Sequence, residues 1–450
     1  MSIFKACDIR APYGTELQDT HATALARAIV LEHGATEVLV AGDARPSTPS
    51  LKHHLIAGLM AGGCRVCDLG TVPTPVFNFA RERLGVPVGV MVTASHNPPE
   101  HNGFKIALGK LPITPAELQE LGSRMEAGAH PPSAVGEYRR HDILPDYLAF
   151  TEGRLEACRD LRVVVDYGNG VGALTGPTLW GARGAKITTL FEVVDGNFPN
   201  RSPNPAVAGN LTALSQAVRE CEADLGVAFD GDADRLAVVD ERGRVVPNDK
   251  VIALFARDRL HRGPEVVVYD QKCSRAVAEA VRELGGEAVL ERSGYTFIKT
   301  TFLQRRAIYA GELSGHHFFR ELPQGDDGVI ASLFFAGMLA RSGRPLSALV
   351  AELPDYPITP DIRLPMPSLE AELILTQLRE GLASAARLSL LDGVRAEFPT
   401  GWGLARRSVT EPLLTLRFEG ENPTALRHIV ALFREAAPGL AERLPEELTS

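Results

Sequence analysis

Apolar and polar positions along this chain follow a pattern that recurs three times. A Val-rich run predicts a strand and a turn bearing an acidic residue follows it. Apolar residues then return at helical spacing, and a Gly pair or Gly-Ala precedes a second strand. The copies are EVLVAGDARPSTPSLKHHLIAGLMAGGCRVCDLG from Glu37, LRVVVDYGNGVGALTGPTLWGARGAKITTLF from Leu161 and PEVVVYDQKCSRAVAEAVRELGGEAVLERSG from Pro264. Strand–helix–strand units imply mostly parallel sheets, and their recurrence implies three related α/β domains. From about Pro365 the pattern changes. A long helical stretch over 368–386 leads into LDGVRAEFPTGWGLARRS and LLTLRFEG, which read as antiparallel strands, and the helix ALRHIVALFREAA closes a fourth, α+β domain. The Pro-rich DYPITPDIRLPMP ahead of it reads as a linker. The expected division is 1–150, 151–254, 255–364 and 365–450; the boundary near 255 rests on the repeat alone.

Composition changes little in this picture. At 450 residues, with 45% hydrophobic and 23% charged residues, the chain can bury several cores. A net charge of −9 argues against a general nucleic-acid or anionic-membrane surface, so an anionic ligand must meet a local basic pocket. MSIFKACDIR lacks a signal-peptide core and no apolar run is long enough to span a membrane, so a soluble, cytoplasmic protein is expected. No coiled coil or obvious exposed apolar helix stands out, and a monomer is expected. The 6 cysteines are scattered and suit reduced thiols; Cys64 and Cys67 form a lone C-x-x-C without a second pair.

Four stretches carry chemistry. In VTASHNPPEHNGFK the apolar run Val86 to Val92 delivers the chain into polar residues and prolines, so Ser95 sits on a loop at a strand end. Beside His96, and with Lys105 downstream, Ser95 fits a nucleophile or a phosphate carrier, or else a capped turn. In AFDGDADRLAVVD the carboxylates of Asp230, Asp232 and Asp234 converge if the loop curls, and hard oxygen ligands at that spacing suit Mg²⁺; an acidic surface turn is the alternative. An EF-hand is disfavoured, because a helix should precede such a loop. YAGELSGHHFF offers Glu312, Ser314, His316 and His317 to sugar hydroxyls, or forms a polar turn. ARRSVTEPLLTLRFEG offers Arg406, Arg407, Ser408, Thr410 and Arg417 as a phosphate cradle, or as solvated arginines. Gly168, Gly170 and Ala173 nominally match a dinucleotide fingerprint. The other two repeats share the unit's shape without these glycines, so tight turning explains them better than NAD.

Taken in order, DIR at Asp8 to Arg10, TASHNPPEHNGFK, DGDADR, YDQKCSR, GELSGHHFF and RRSVTEP resemble the α-D-phosphohexomutases, specifically the bacterial phosphomannomutase/phosphoglucomutase group. The resemblance spans nearly the whole chain. It implies four domains around a central cleft, with Ser95 as the phosphoserine and Ser95, Asp230, Asp232 and Asp234 as ligands of Mg²⁺. Arg10, Lys105 and Arg235 would surround the transferring phosphoryl, with His96 and Lys105 candidates for proton handling. Lys272 would face the substrate, Glu312, Ser314 and His316 would bind sugar hydroxyls, and Arg406, Ser408, Thr410 and Arg417 would hold the non-reacting phosphate. The implied reaction converts hexose 1-phosphate and hexose 6-phosphate through a hexose 1,6-bisphosphate, with small-molecule hexose phosphates as the partners. Three positions depart from the pattern: Cys7 for a tyrosine, Tyr295 for a histidine on the substrate side, and Val409 for an asparagine. A phosphoglucosamine mutase-type activity, a metal-dependent sugar phosphatase using the same serine and aspartates, and a non-catalytic sugar-phosphate-binding protein are the alternatives.

Overall fold

The computed structural model describes residues 3–5, 7–34, 36–128, 135–322, 325–408 and 413–444. Val409 and Thr410 of the expected phosphate loop lie outside them. The repeat seen in the sequence becomes one topology built three times. In the first domain Glu37–Gly42 is central, flanked in parallel by Arg65–Thr71 and Gly89–Val92, and His101–Ala107 returns antiparallel to Gly89–Val92. Arg162–Asp166, Lys186–Leu190, Leu225–Phe229 and Leu236–Asp240 take the same four places in the second domain. Val266–Asp270, Glu287–Glu291, Tyr309–Gly311 and His317–Phe319 take them in the third. The turns between the third and fourth strands of these motifs hold Ser95, the three aspartates and GELSGH respectively. Three sequence motifs with no likeness to one another thus occupy one topological slot.

The helices follow from their apolar spacing and caps. Arg275–Glu283 buries Ala276, Val277, Ala280 and Val281 on one face, and the Ser274 hydroxyl at its N-cap accepts from the backbone N–H of Ala276. Gly328–Ser342 is apolar nearly all round, and it is buried over Gly328 to Leu339, packing against the second domain's strands Leu225–Phe229 and Leu236–Asp240. Through it the first three domains share a continuous apolar core that includes Met91, Phe77, Tyr147, Val165, Phe229, Phe255 and Phe335. The fourth domain has its own core around Leu378, Leu414, Phe418, Ile429 and Phe433.

Some local expectations shift. The helix Asn248–Leu260 runs across the 254/255 division, so the chain passes between the second and third domains before Asn248. Part of the expected linker docks instead: Ile362–Pro365 pairs antiparallel with Leu413–Gly420 as an edge strand of the fourth sheet, the place where proline is tolerated. In the second repeat Gly and Pro break the expected helix into a 3₁₀ turn, Val171–Leu174, and the short helix Gly176–Gly181. The long C-terminal helix ends at Gly381 rather than Ala386. The strand expected over Val86–Val92 is limited to Gly89–Val92, since Pro87 has no N–H to give a ladder. Cys64 and Cys67 are buried free thiols. Among the described residues no helix is long and apolar enough to cross a membrane.

Candidate active site

Each motif loop is braced by the aspartate that ends the first strand of its own domain. In the first domain buried Asp43 accepts from Thr93 Oγ1 at 2.7 Å, and Thr93 Oγ1 accepts from the Ser95 N–H at 2.9 Å. Asp43 also pairs with Arg45. The Arg45 guanidinium donates to the backbone carbonyls of Ser95 (2.9 Å), Asn97 (2.6 Å), Pro98 (2.5 Å) and His101 (2.9 Å). This clamp holds Ser95 at φ 51°, in the left-handed region a serine seldom adopts. In the second domain Asp166 pairs with Arg201, which donates to the Phe229 carbonyl at the start of the metal loop (2.8 Å). In the third, Asp270 accepts from the backbone N–H of Leu313 at 3.3 Å. The acidic residue recurring in the sequence pattern is therefore a support for the site, not a contact within it.

The serine and aspartate loops meet across the first two domains. Ser95 Oγ donates to Asp230 Oδ2 at 2.7 Å and lies 3.2 Å from His96 Nδ1. Asp230, Asp232 and Asp234 each offer an oxygen within 4.8 Å of the others, and all three are buried. Asp230 Oδ1 accepts from the N–H groups of Asp234 and Arg235, curling the loop as the metal reading requires. Thr74 of the first domain donates to Asp232 Oδ2 at 2.6 Å. A Cβ on Gly231 would stand 2.6 Å from the Ser95 carbonyl oxygen, so the two backbones approach closely enough to demand glycine there.

Lys105, on the strand His101–Ala107, reaches into the triplet: its Nζ lies 2.6 Å from Asp232 and 2.5 Å from Asp234. Burial works against its charge, but those carboxylates push the ammonium pKa up. In Asp232 burial and Asp234 raise the pKa, and Lys105 with Thr74 outweighs them, so the net shift is downward. Asp230 is pushed well above the usual carboxylate range by burial and by Asp234 and Asp232. Burial, with the Arg235 and Arg10 charges, holds the His96 imidazole well below its ordinary range. His96 is thus neutral at neutral pH and able to accept a proton. Asp232 Oδ1 and Asp234 Oδ1 are buried with no hydrogen-bond partner among the described residues. Orphaned hard oxygens in a buried triplet of carboxylates, with Lys105 and Arg235 as the cations beside it, fit a divalent cation held by this triplet with Ser95 Oγ.

Arg10, His96, Lys105 and Arg235 form part of the wall of a cleft of about 750 Å³ in front of this centre, with Tyr295, Glu312 and His316 facing them from the third domain and Arg363 from the fourth. Arg10 donates to the Ala94 carbonyl and to Asn97 Oδ1, both at 3.2 Å, and pairs with Asp8. Glu312 Oε2 and Ser314 Oγ are buried without hydrogen-bond partners among the described residues. Cys7 also lines the cleft, and burial pushes its thiol up to about 11. The adjacent His317 lies in the strand, fully buried and bonded to Tyr309, and takes no part in the cleft wall.

The remaining expected residues gather at the seam between the third and fourth domains. Lys272 Nζ lies 2.9 Å from Asp361, which Arg417 approaches at 4.0 Å. Arg406 pairs with Asp392 at 2.6 Å, and the same carboxylate accepts from Gln271 at 3.3 Å. The Ser408 N–H donates to the Leu413 carbonyl at 2.9 Å. Arg407 points away, to Glu372. The sequence pattern marked an acidic residue in each turn, and sequence reasoning missed Thr74, Lys299, Asp326 and Arg363. Asp326 and Asp327 had a visible marker, an acidic pair immediately before a wholly apolar helix.

Residues 1–131, 145–243 and 247–356 match the α/β/α domains I, II and III of phosphoglucomutase/phosphomannomutase. The chain is 38% identical over 450 residues to the phosphomannomutase/phosphoglucomutase of Pseudomonas aeruginosa, covering 99% of this chain and 97% of that one. It is 37% identical to a phosphoglucomutase of Neisseria meningitidis, covering 97% and 98%. A crystal structure of a phosphoglucomutase/phosphomannomutase family protein from Burkholderia thailandensis superposes with a TM-score of 0.90 at 38% identity, covering 96% of each chain. The chain belongs to the phosphoglucomutase/phosphomannomutase family of the α-D-phosphohexomutases.

Proposed function

We propose that this phosphohexomutase interconverts mannose or glucose 1-phosphate with the corresponding 6-phosphate through a phosphoryl group carried on Ser95. The observation that carries the reading is the contact of Ser95 Oγ with Asp230 inside the acidic triplet, with Arg10, His96, Lys105 and Arg235 around it. Phosphoryl transfer is mainly positioning and charge neutralisation, and this is the equipment it needs. A Mg²⁺ held by Asp230, Asp232, Asp234 and Ser95 Oγ would supply charge neutralisation for the phosphate oxygens.

The chain's own groups then do the following. A sugar hydroxyl oxygen forms a bond to the Ser95-borne phosphorus, the P–Oγ bond breaks, and the product is a hexose 1,6-bisphosphate. Arg10, Lys105 and Arg235 neutralise the phosphoryl oxygens in flight. The sugar hydroxyl gives up its proton as its oxygen bonds to phosphorus and the departing Ser95 Oγ takes one up; neutral His96, 3.2 Å from Oγ, relays the proton between them. Glu312, Ser314 and His316 take the sugar hydroxyls, with the unpartnered buried Glu312 Oε2 and Ser314 Oγ supporting that role. Lys272 faces the substrate, and Arg406, Ser408, Thr410 and Arg417 hold the phosphate that does not react. The bisphosphate turns over in the cleft and returns its other phosphate to Ser95, so the same bisphosphate also serves to charge idle enzyme.

Intact-protein mass after incubation with glucose 1,6-bisphosphate tests this. One phosphate-sized increment, absent from Ser95→Ala together with mutase turnover, is expected. An unmodified mass, or phosphate release at turnover rates in place of isomerisation, refutes it.

A further inference from the structure

Along the third-domain wall of the cleft runs a polar chain, Lys299, Tyr295, Asp326 and His316, that ends on Arg235. Tyr295 opens the helix Tyr295–Arg305, and Lys299 stands one turn later on the same face. Lys299 Nζ donates to the Tyr295 hydroxyl at 2.7 Å, and both donate to one oxygen of Asp326, Oδ1, at 3.4 and 3.3 Å. The other oxygen, Oδ2, faces His316 Nδ1 at 3.4 Å, an electrostatic contact that falls outside hydrogen-bond geometry. On its far side His316 Nε2 accepts from Arg235 Nε at 3.2 Å. Arg235 Nε in turn is 3.9 Å from Asp230 Oδ2, the same oxygen that accepts from Ser95 Oγ. The Tyr295 and His316 rings meet edge to face, with centroids 5.1 Å apart.

The hydrogen-bond inventory fixes the imidazole. A guanidinium only donates, so His316 Nε2 must present a lone pair, and the ring proton sits on Nδ1 between Asp326 and Asp234, whose Oδ1 is 3.7 Å away. That tautomer depends on an ionised, correctly turned Asp326. Among the described residues Lys299 and Tyr295 are its donors on the Oδ1 side; Lys299 is 7% exposed and Asp326 0%, while Tyr295 is half-buried at the cleft wall.

We propose that Tyr295 and Lys299 are positioning residues for phosphoryl transfer. By clamping Asp326 they hold His316 as its Nδ1–H tautomer, and His316 Nε2 then aims Arg235 at the phosphoryl on Ser95. This rests on the mutase reading above. It moves Tyr295 from the sugar-contacting set to a group that acts through another residue.

The test is a double-mutant cycle in the coupled mutase assay with glucose 1-phosphate, Mg²⁺ and glucose 1,6-bisphosphate. Tyr295→Phe removes one oxygen and is expected to lower kcat about tenfold with KM within about twofold, the range in which a supporting partner acts. Lys299→Met should do the same and Lys299→Arg should restore part of the rate. Tyr295→Phe combined with His316→Gln should be no slower than His316→Gln alone. Multiplying losses in the double variant, or a fall confined to KM, overturns the proposal while leaving the mutase reading intact. A wild-type enzyme without mutase turnover overturns both. Should the Lys299 variants fail to fold, ¹⁵N-histidine spectra of the unmodified protein, with His316 assigned by difference against His316→Gln, give the same decision. A protonated Nδ1 and a bare Nε2 support it, and the opposite tautomer refutes it.

Discussion

Replacing Arg45 by methionine isolates the support of the nucleophile loop from its chemistry, because Arg45 lies behind Ser95 and is only 1% exposed. The substitution keeps the apolar stem and removes the guanidinium. Two consequences can be sized. Asp43 loses its ion pair in a buried setting, and breaking such a pair from one side costs about 3–5 kcal/mol. The carbonyls of Ser95, Asn97, Pro98 and His101 lose their shared donor. Ser95 then has less to hold it at φ 51°, a conformation that costs a non-glycine residue about 1–2 kcal/mol. At about 2–4 °C per kcal/mol for a domain of this size, the melting temperature should fall by about 10 °C. If about 3 kcal/mol of the loss lands on the loop, the competent geometry is about a hundredfold rarer, at 1.4 kcal/mol per factor of ten, and kcat falls with it. On the proposed reading, in which the third and fourth domains hold the sugar and its second phosphate, KM should hardly move. The assay is phosphate uptake from glucose 1,6-bisphosphate by mass, alongside steady-state rates and a melting curve. Asp43→Asn with Arg45→Met should cost less than the two singles summed, since the orphaned charge is gone. A variant that melts within about 2 °C of the parent and takes up phosphate at the parent rate would refute the clamp.

Two further outcomes follow from single groups. Burial raises the Asp327 pKa from 3.8 to about 7 while its side chain caps a helix at Ile330 N and accepts from Tyr147 OH. The folded state therefore holds this proton more tightly than the unfolded chain. The stabilisation is fully present below about pH 4 and is lost as pH rises to about 7. Asp327→Asn should gain on the parent by up to about 4 kcal/mol above pH 7, read as a diverging melting temperature between pH 5 and 8; parallel curves would count against it. Gly231→Ala would force its Cβ against the Ser95 carbonyl at 2.6 Å. It should lower kcat by at least about tenfold, the equivalent of 1.4 kcal/mol, while leaving KM near the parent value; an unchanged kcat would show that the two loops have slack between them.

The architecture was legible in the sequence wherever periodicity and punctuation agreed. The first and third repeats place strand, helix and strand where Glu37–Gly42, Thr48–Ala61 and Arg65–Thr71, or Val266–Asp270, Arg275–Glu283 and Glu287–Glu291, stand in the fold. The second repeat failed locally because Gly176 and Pro177 carry a helical apolar spacing on a backbone that cannot sustain a long helix. The 254/255 boundary failed because a domain change without a composition shift leaves no mark along the chain. At the site, residues with distinctive chemistry next to one another in sequence, Ser95 with His96 and the alternating aspartates, announced themselves. Lys299, Asp326 and Thr74 did not, since each is ordinary in its own segment and gains meaning only from a partner far along the chain, 158 positions in the case of Thr74 and Asp232.

The two kinds of boundary between domains set which distances in the cleft are free to change. The first three domains are fused through one apolar core, so parting them would expose large hydrophobic surface to water. The fourth meets the third through polar contacts, some partly exposed, as Lys272 with Asp361, and some buried, as Arg395 with the Gln271 carbonyl and Glu419 with the Arg275 N–H. Ser95, the acidic triplet and the GELSGH loop therefore stand on one apolar-cored body, and Arg406 and Arg417 across a polar seam from it. A tilt of the fourth domain would change the distance from these arginines to Ser95, while the contact of Ser95 with Asp230 lies within the fused body and takes no part in that seam.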